Sequence, residues 1–236
     1  MTTEADGLSV DEPSADERRP YEPSADQRSA DGVLVRFDAL TRIVHWTTTV
    51  LGSVVLLTGT ILYVDELSTK IGRRELLKTL HVWCSWLLLV PLCVGVLLSG
   101  PGRRLRADLA DLGRWTKADR RWLRRSTRTT PLGKFNGGQK LAAALFAGLF
   151  VMQLLTGSLM LWNKPFSDSW RTGATFVHDW GYLAFVVLVV GHVVKAVREP
   201  ELLESMIRGT VPRSYAERER PGWATAQLRR QSDKET

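Results

Sequence analysis

Four stretches free of Asp, Glu, Lys and Arg divide the middle of this chain: 43–64, 79–102, 141–163 and 180–194. The last reaches back towards Thr172 with only Asp179 intervening. A helix needs about 20 apolar residues to cross the ~30 Å hydrocarbon core of a bilayer. Three stretches meet that length as they stand, and the fourth meets it if Asp179 sits at the interface. The pattern predicts helices over about 43–64, 79–100, 139–163 and 174–197, hence an all-α, integral membrane four-helix bundle. Trp46, Trp83, Trp86, Trp162, Trp170 and Trp180 fall near the ends of these runs, where amphipathic rings settle at the headgroups.

Average composition hides this pattern. A hydrophobic fraction of 44% and a mean hydropathy of -0.10 would suit a soluble protein, because polar ends dilute the apolar centre. Residues 1–32 are rich in Glu, Asp, Ser and Pro and repeat Glu-Pro-Ser-Ala-Asp at 12–16 and 22–26. Such a segment cannot bury enough apolar surface to fold, so a disordered tail is expected. The four-helix domain then spans 33–211, and a second polar tail spans 212–236.

Charge sets the expected orientation. The 101–138 connection is dense with Lys and Arg, from Arg103 to Lys134 and including Arg125 and Arg128. The other two connections carry fewer: Lys70, Arg73, Arg74 and Lys78 in the first, Lys164 and Arg171 in the third. Positive loops stay in the cytoplasm. Both termini and the middle loop are therefore expected inside, in a multi-pass protein of the cell membrane. The net charge of +7 is explained by this topology and by anionic lipid headgroups, with no nucleic-acid partner. Cys84 and Cys93 form neither CxxC nor CxxCH, which excludes a thiol-redox motif and covalent haem attachment.

Chemistry enters with the histidines. The chain has four, His45, His81, His178 and His192, each in or at the edge of an apolar run. An imidazole in hydrocarbon is costly and is usually retained for a task. Neutral imidazole is an axial ligand of haem iron, and four of them suggest two haems b with two histidines each. His45 lies just after Arg42, and His192 just before Lys195, on the expected cytoplasmic side. His81, just after Lys78, and His178 lie on the external side. His178 and His192 are fourteen residues apart, about 21 Å of helical rise and ~40° short of whole turns. Depth therefore pairs His45 with His192 and His81 with His178. Gly52, Gly59, Gly148 and Gly157 would let backbone approach a flat macrocycle, or simply pack helices closely.

Further residues carry a family likeness. They are Arg36-Phe37, Arg42-Ile43-Val44-His45-Trp46 and Leu57-Thr58-Gly59, then Lys134-Phe135-Asn136-Gly137-Gly138-Gln139-Lys140 and Leu155-Thr156-Gly157. His178-Asp179, Gly191-His192 and Met206-Ile207-Arg208-Gly209-Thr210-Val211 follow. Over roughly 34–211 the chain resembles the gamma subunit of membrane-bound formate dehydrogenase, a di-haem cytochrome b that reduces quinone. The chain departs from that family at 214–220, in the N-terminal tail and in the basic segment 103–130.

The resemblance implies an electron-transfer subunit that receives electrons from an iron–sulfur (beta) subunit and passes them through two haems b to menaquinone or ubiquinone. Formate oxidation would belong to a molybdopterin (alpha) subunit. It also implies a quinone pocket beside the cytoplasmic haem, with Asn136 and Gln139 as hydrogen-bond donors and Gly137 and Gly138 allowing close approach. Asn136 equally suits a plain helix N-cap. Arg36, Arg42 and Lys140 are candidates for haem propionates or the quinone headgroup, or for ordinary interfacial anchoring. Two other readings fit the scaffold: the cytochrome b of a hydrogenase or sulfur-compound reductase, and a cofactor-free anchor or proton-relay protein.

Overall fold

The computed structural model describes residues 32–124, 133–162 and 166–235. The expected N-terminal tail, apart from Gly32, lies outside them, as do Arg125, Arg128 and Lys164. Among the described residues four helical segments are long and apolar enough to cross a membrane: Ala39–Tyr63, Arg74–Leu97, Gly137–Leu161 and Asp168–Arg198. Each begins before its uncharged run. Long basic side chains such as Arg42 and Lys140 keep helical backbone while their heads find polar partners at the ends.

The first span, α1 (Ala39–Tyr63), starts at Asp38, whose carboxylate accepts the Thr41 N–H at 2.9 Å. A short α2 (Asp65–Ile71) follows, with Asp65 and Glu66 in its first turn and Gly72 closing it at φ 64°. The second span is two helices, α3 (Arg74–Leu87) and α4 (Leu89–Leu97). Pro91 lies three residues past the break at Leu88; it has no N–H for the Leu87 carbonyl, and its ring crowds that carbonyl. Two helices on the connecting segment come next, α5 (Arg103–Gly113) and α6 (Lys117–Leu123). The third and fourth spans are α7 (Gly137–Leu161) and α8 (Asp168–Arg198). Spans one and two pack as one hairpin, three and four as another. Leu97, Val187 and Trp83 point outward and are 81%, 72% and 71% exposed, as side chains facing lipid tails must be.

The segments flanking the first and last spans meet on one side of the bundle. Strand β1 (Val33–Val35) pairs antiparallel with β2 (Thr210–Pro212), Leu34 opposite Val211. Helix α9 (Pro200–Arg208) leads into β2. Its free carbonyls are taken by α1: Trp46 Nε1 donates to Met206 at 2.9 Å and Arg42 to Ile207. These are groups that a helix end leaves unpaired.

Within the segment 212–236 expected as a polar tail, residues 213–235 form α10 (Arg213–Glu219) and α11 (Pro221–Glu235). Tyr215, Ala216, Trp223 and Ala224 close over Leu34 and Val211 in a small core. A few apolar residues suffice because a helix needs only one covered stripe. Arg36 is buried at its edge, donating to the Lys134 carbonyl at 2.8 Å with its guanidinium 5.6 Å from the Trp223 ring. Burial, and then neighbouring Arg220, push its pKa down to about 10, so it stays charged at neutral pH.

Gly209 is the hinge of this cap. It sits at φ 89°, its carbonyl accepts from Arg36 N and Phe37 N at 2.8 and 3.0 Å, and a Cβ there would lie 2.6 Å from the Phe37 oxygen. Gly209→Ala is expected to cost ~1–3 kcal/mol in backbone strain. The check is amide hydrogen exchange at Leu34 and Val211, faster by tenfold or more, on the order of 1.4 kcal/mol.

Candidate functional site: paired histidines within the bundle

The structure brings the four histidines together in the two pairs that depth requires. His81 on α3 faces His178 on α8, with ring centroids 6.3 Å apart. His45 on α1 faces His192 on α8 at 6.4 Å. A histidine nitrogen sits ~2 Å from a bound metal, and adding ~1.1 Å from that nitrogen to its ring centre puts two rings across one metal ~6.2 Å apart. Both pairs match that separation. Among the described residues no cluster of three or more His, Cys, Asp and Glu could hold a bare metal ion. Two imidazoles alone suit a metal whose remaining ligands come from a macrocycle.

The His81/His178 pair is built twice from one sequence element. Leu57-Thr58-Gly59 on α1 lies against His81, and Leu155-Thr156-Gly157 on α7 lies against His178. Sequence separations from threonine to histidine are 23 and 22. A Cβ on Gly59 would stand 3.1 Å from His81 Cε1, and one on Gly157 would stand 3.3 Å from His178 Cε1. The glycines thus give each ring room to lie against the neighbouring helix. His81 Nδ1 is 3.0 Å from the Val55 carbonyl oxygen, which can only accept. The Nδ1 proton is therefore fixed, and Nε2 is left with a free lone pair, the form that binds metal.

His45 and His192 are held by rings. Trp46 stands edge-on to His45 at 5.5 Å and Phe146 edge-on to His192 at 5.5 Å. Their ring nitrogens have no recorded hydrogen-bond partner among the described residues. Fourteen residues after His178 comes His192, whereas fourteen after His81 comes Gly95, packed against Val44 and Leu105. The second ring pair therefore draws its other member, His45, from α1.

The 134–140 block has a structural role that the sequence left open. Asn136 is the N-cap of α7: its side-chain oxygen accepts the Gln139 N–H at 2.8 Å, and Gln139 Oε1 accepts the Asn136 N–H at 3.1 Å. This is a reciprocal capping box. The glycines do not leave an open approach. A Cβ on Gly137 would meet the Asp119 carbonyl at 2.6 Å and one on Gly138 the Trp122 ring at 2.8 Å, so α6 fills that space. Only the side-chain N–H₂ groups of Asn136 and Gln139 remain outside the box.

The three basic candidates also have internal partners. Arg36 and Arg42 donate to carbonyls as described, each keeping N–H groups that have no partner among the described residues. Lys140 is buried and donates to the Arg114 carbonyl at 2.8 Å and to Asp119 at 3.1 Å. Burial alone would raise the Asp119 carboxyl, but hydrogen bonds from Thr116 and Lys140 hold it below its ordinary value. Its contribution is thus complete at neutral pH and is lost as pH falls below the carboxylate range of ~3.9. Lys140→Met strands the Asp119 carboxylate in a buried site. Faster proteolytic cutting near residues 114–124 at pH 7 is expected, with the difference from wild type shrinking in acid.

A helical membrane bundle with opposed histidines at two depths defines the class: a membrane cytochrome that carries electrons. Residues 36–209 match the Prokaryotic cytochrome b561 family. The chain belongs to that family and is a multi-pass membrane cytochrome b, with haem b its implied cofactor. No curated protein matches the chain as a relative.

Proposed function

We propose that the chain is the haem b subunit of a membrane-bound respiratory oxidoreductase, most specifically a formate dehydrogenase. In this reading it conducts electrons from an iron–sulfur partner to membrane quinone. The observation that carries the reading is the pair of facing imidazole couples, 6.3 and 6.4 Å apart at two depths. Each couple fits one haem b, and haem iron when bound takes up and releases one electron at a time.

In this reading, His81 and His178 hold the haem on the external side, and His45 and His192 hold that on the cytoplasmic side. The basic 101–138 segment keeps both chain ends in the cytoplasm. Gly59 and Gly157 make room for the external rings, and Val55, Thr58 and Thr156 fix their proton positions. Trp46 and Phe146 pack against the rings of the other pair. The amide N–H₂ groups of Asn136 and Gln139 orient a menaquinone or ubiquinone carbonyl at the cytoplasmic end of α7, where the helix dipole favours negative charge. Partners are an iron–sulfur subunit docking on the external face and a molybdopterin subunit beyond it.

The experiment is purification of the chain from membranes with haem quantified per polypeptide. Two haems b with bis-histidine spectra are expected, together with co-purifying iron–sulfur and molybdopterin subunits. Absence of haem sinks the conduit. A co-purifying hydrogenase or sulfur-compound reductase instead sinks only the formate assignment.

A further inference from the structure

The two histidine pairs differ in what holds their outer ring nitrogens. His81 Nδ1 lies 3.0 Å from the Val55 carbonyl and 3.2 Å from Thr58 Oγ1. Thr58 directs its own proton to the Val54 carbonyl at 2.7 Å, so its oxygen is free to accept. His178 Nδ1 lies 2.9 Å from Thr156 Oγ1, whose proton goes to the Met152 carbonyl at 2.8 Å. Both imidazoles of this pair therefore donate to acceptors whose orientation is locked by the helix backbone. The rings of the His45/His192 pair stand against Trp46 and Phe146 and have no hydrogen-bond partner for their nitrogens among the described residues.

An imidazole that donates its second N–H is a more basic ligand. A more basic ligand favours the more positive oxidation state of the iron, and therefore lowers its reduction potential. Apolar surroundings without such acceptors act the other way.

We propose that Thr58 and Thr156 are positioning residues that hold the His81/His178 centre at a lower reduction potential than the His45/His192 centre. The inequality makes electron movement towards the side of the bundle that carries the β1–β2 pair downhill. The duplicated Leu-Thr-Gly element then has a redox role as well as a packing one. Back-bonding threonines are ordinary in helices; these two differ in having their acceptor lone pair aimed at a histidine. The inference rests on the two-haem reading above.

The test is potentiometry of the full chain in lipid nanodiscs, with dithionite as reductant and haem counted in every sample. The variants are Thr58→Val, Thr156→Val and Thr156→Ser. Thr156→Val is expected to raise the lower potential by an amount equal to about a tenfold change in the reduction equilibrium, about 59 mV for one electron. Thr58→Val should shift it in the same direction, since each ring keeps one backbone acceptor, the Val55 carbonyl for His81 and the Gln153 carbonyl for His178. Thr156→Ser should restore the wild-type value. A His192→Ala chain, keeping the His81/His178 centre alone, should show the lower potential.

Unchanged potentials with both haems retained would overturn the proposal, as would a shift confined to the higher-potential centre. The higher potential in the His192→Ala chain would also overturn it. If Thr156→Val loses haem, Thr58→Val supplies the same reading with the ring still held by Val55. Fewer than two haems in wild type refutes the two-haem reading, which is a distinct outcome.

Discussion

Alanine at His81 or His178 is expected to abolish one of two bis-histidine haem b signals, and alanine at His45 or His192 the other. The argument is the separation of the two couples. Each ring faces one partner, at 6.3 or 6.4 Å, and the two members on α8 are fourteen residues apart, about 21 Å along the helix. No ring of one couple can replace a lost ring of the other across that distance. Changes to residues that merely support a metal ligand already cost ~10–100-fold in affinity. Removing the ligand itself costs more, so loss of the signal should be nearly complete. The measurement is a reduced-minus-oxidised difference spectrum with haem quantified per polypeptide. Four substitutions that all diminish a single signal would show that the histidines are not paired by depth.

How much of this was legible beforehand differs from element to element. The four spans were, because lipid demands a long uncharged run and nothing else in the chain resembles one. Their ends were not, since Arg42 and Lys140 continue the helix and find partners in Ile207, Arg114 and Asp119 that lie far away in sequence. The break at Leu88 had a signal in Pro91, although hydropathy does not register it. Helix α6 also had one, in the spacing of Thr116 and Asp119, which form a capping box. The C-terminal cap was hidden because it brings only four small or aromatic residues to the core, Tyr215, Ala216, Trp223 and Ala224, scattered among charges. Its anchor, Leu34, lies at the opposite end of the chain. For the site, depth sorted the histidines into the same two couples whose rings face each other in the structure. The repeated Leu-Thr-Gly was visible as a motif. That it faces His81 and His178 follows only from the way each hairpin folds back.

The second large effect concerns Asn136, whose two groups can be separated. Its oxygen is committed to the Gln139 N–H at 2.8 Å, while its N–H₂ is the part assigned to quinone in the proposed reading. Serine caps a helix about as well as asparagine but lacks the amide N–H₂. Asn136→Ser is therefore expected to leave α7, haem content and thermal stability close to wild type. Reoxidation of the pre-reduced chain by a menaquinone analogue should slow roughly tenfold to a hundredfold, since a hydrogen bond to a charged acceptor is worth ~1.5–3 kcal/mol. Asn136→Ala removes both functions and should add a cap loss of about 1 kcal/mol, seen as a lower melting temperature. Stopped-flow reoxidation of both variants separates the roles. A serine variant that reoxidises at the wild-type rate, beside an alanine variant that only melts earlier, would make Asn136 a helix cap alone. The quinone contact would then have to be supplied by another group at that end of the bundle.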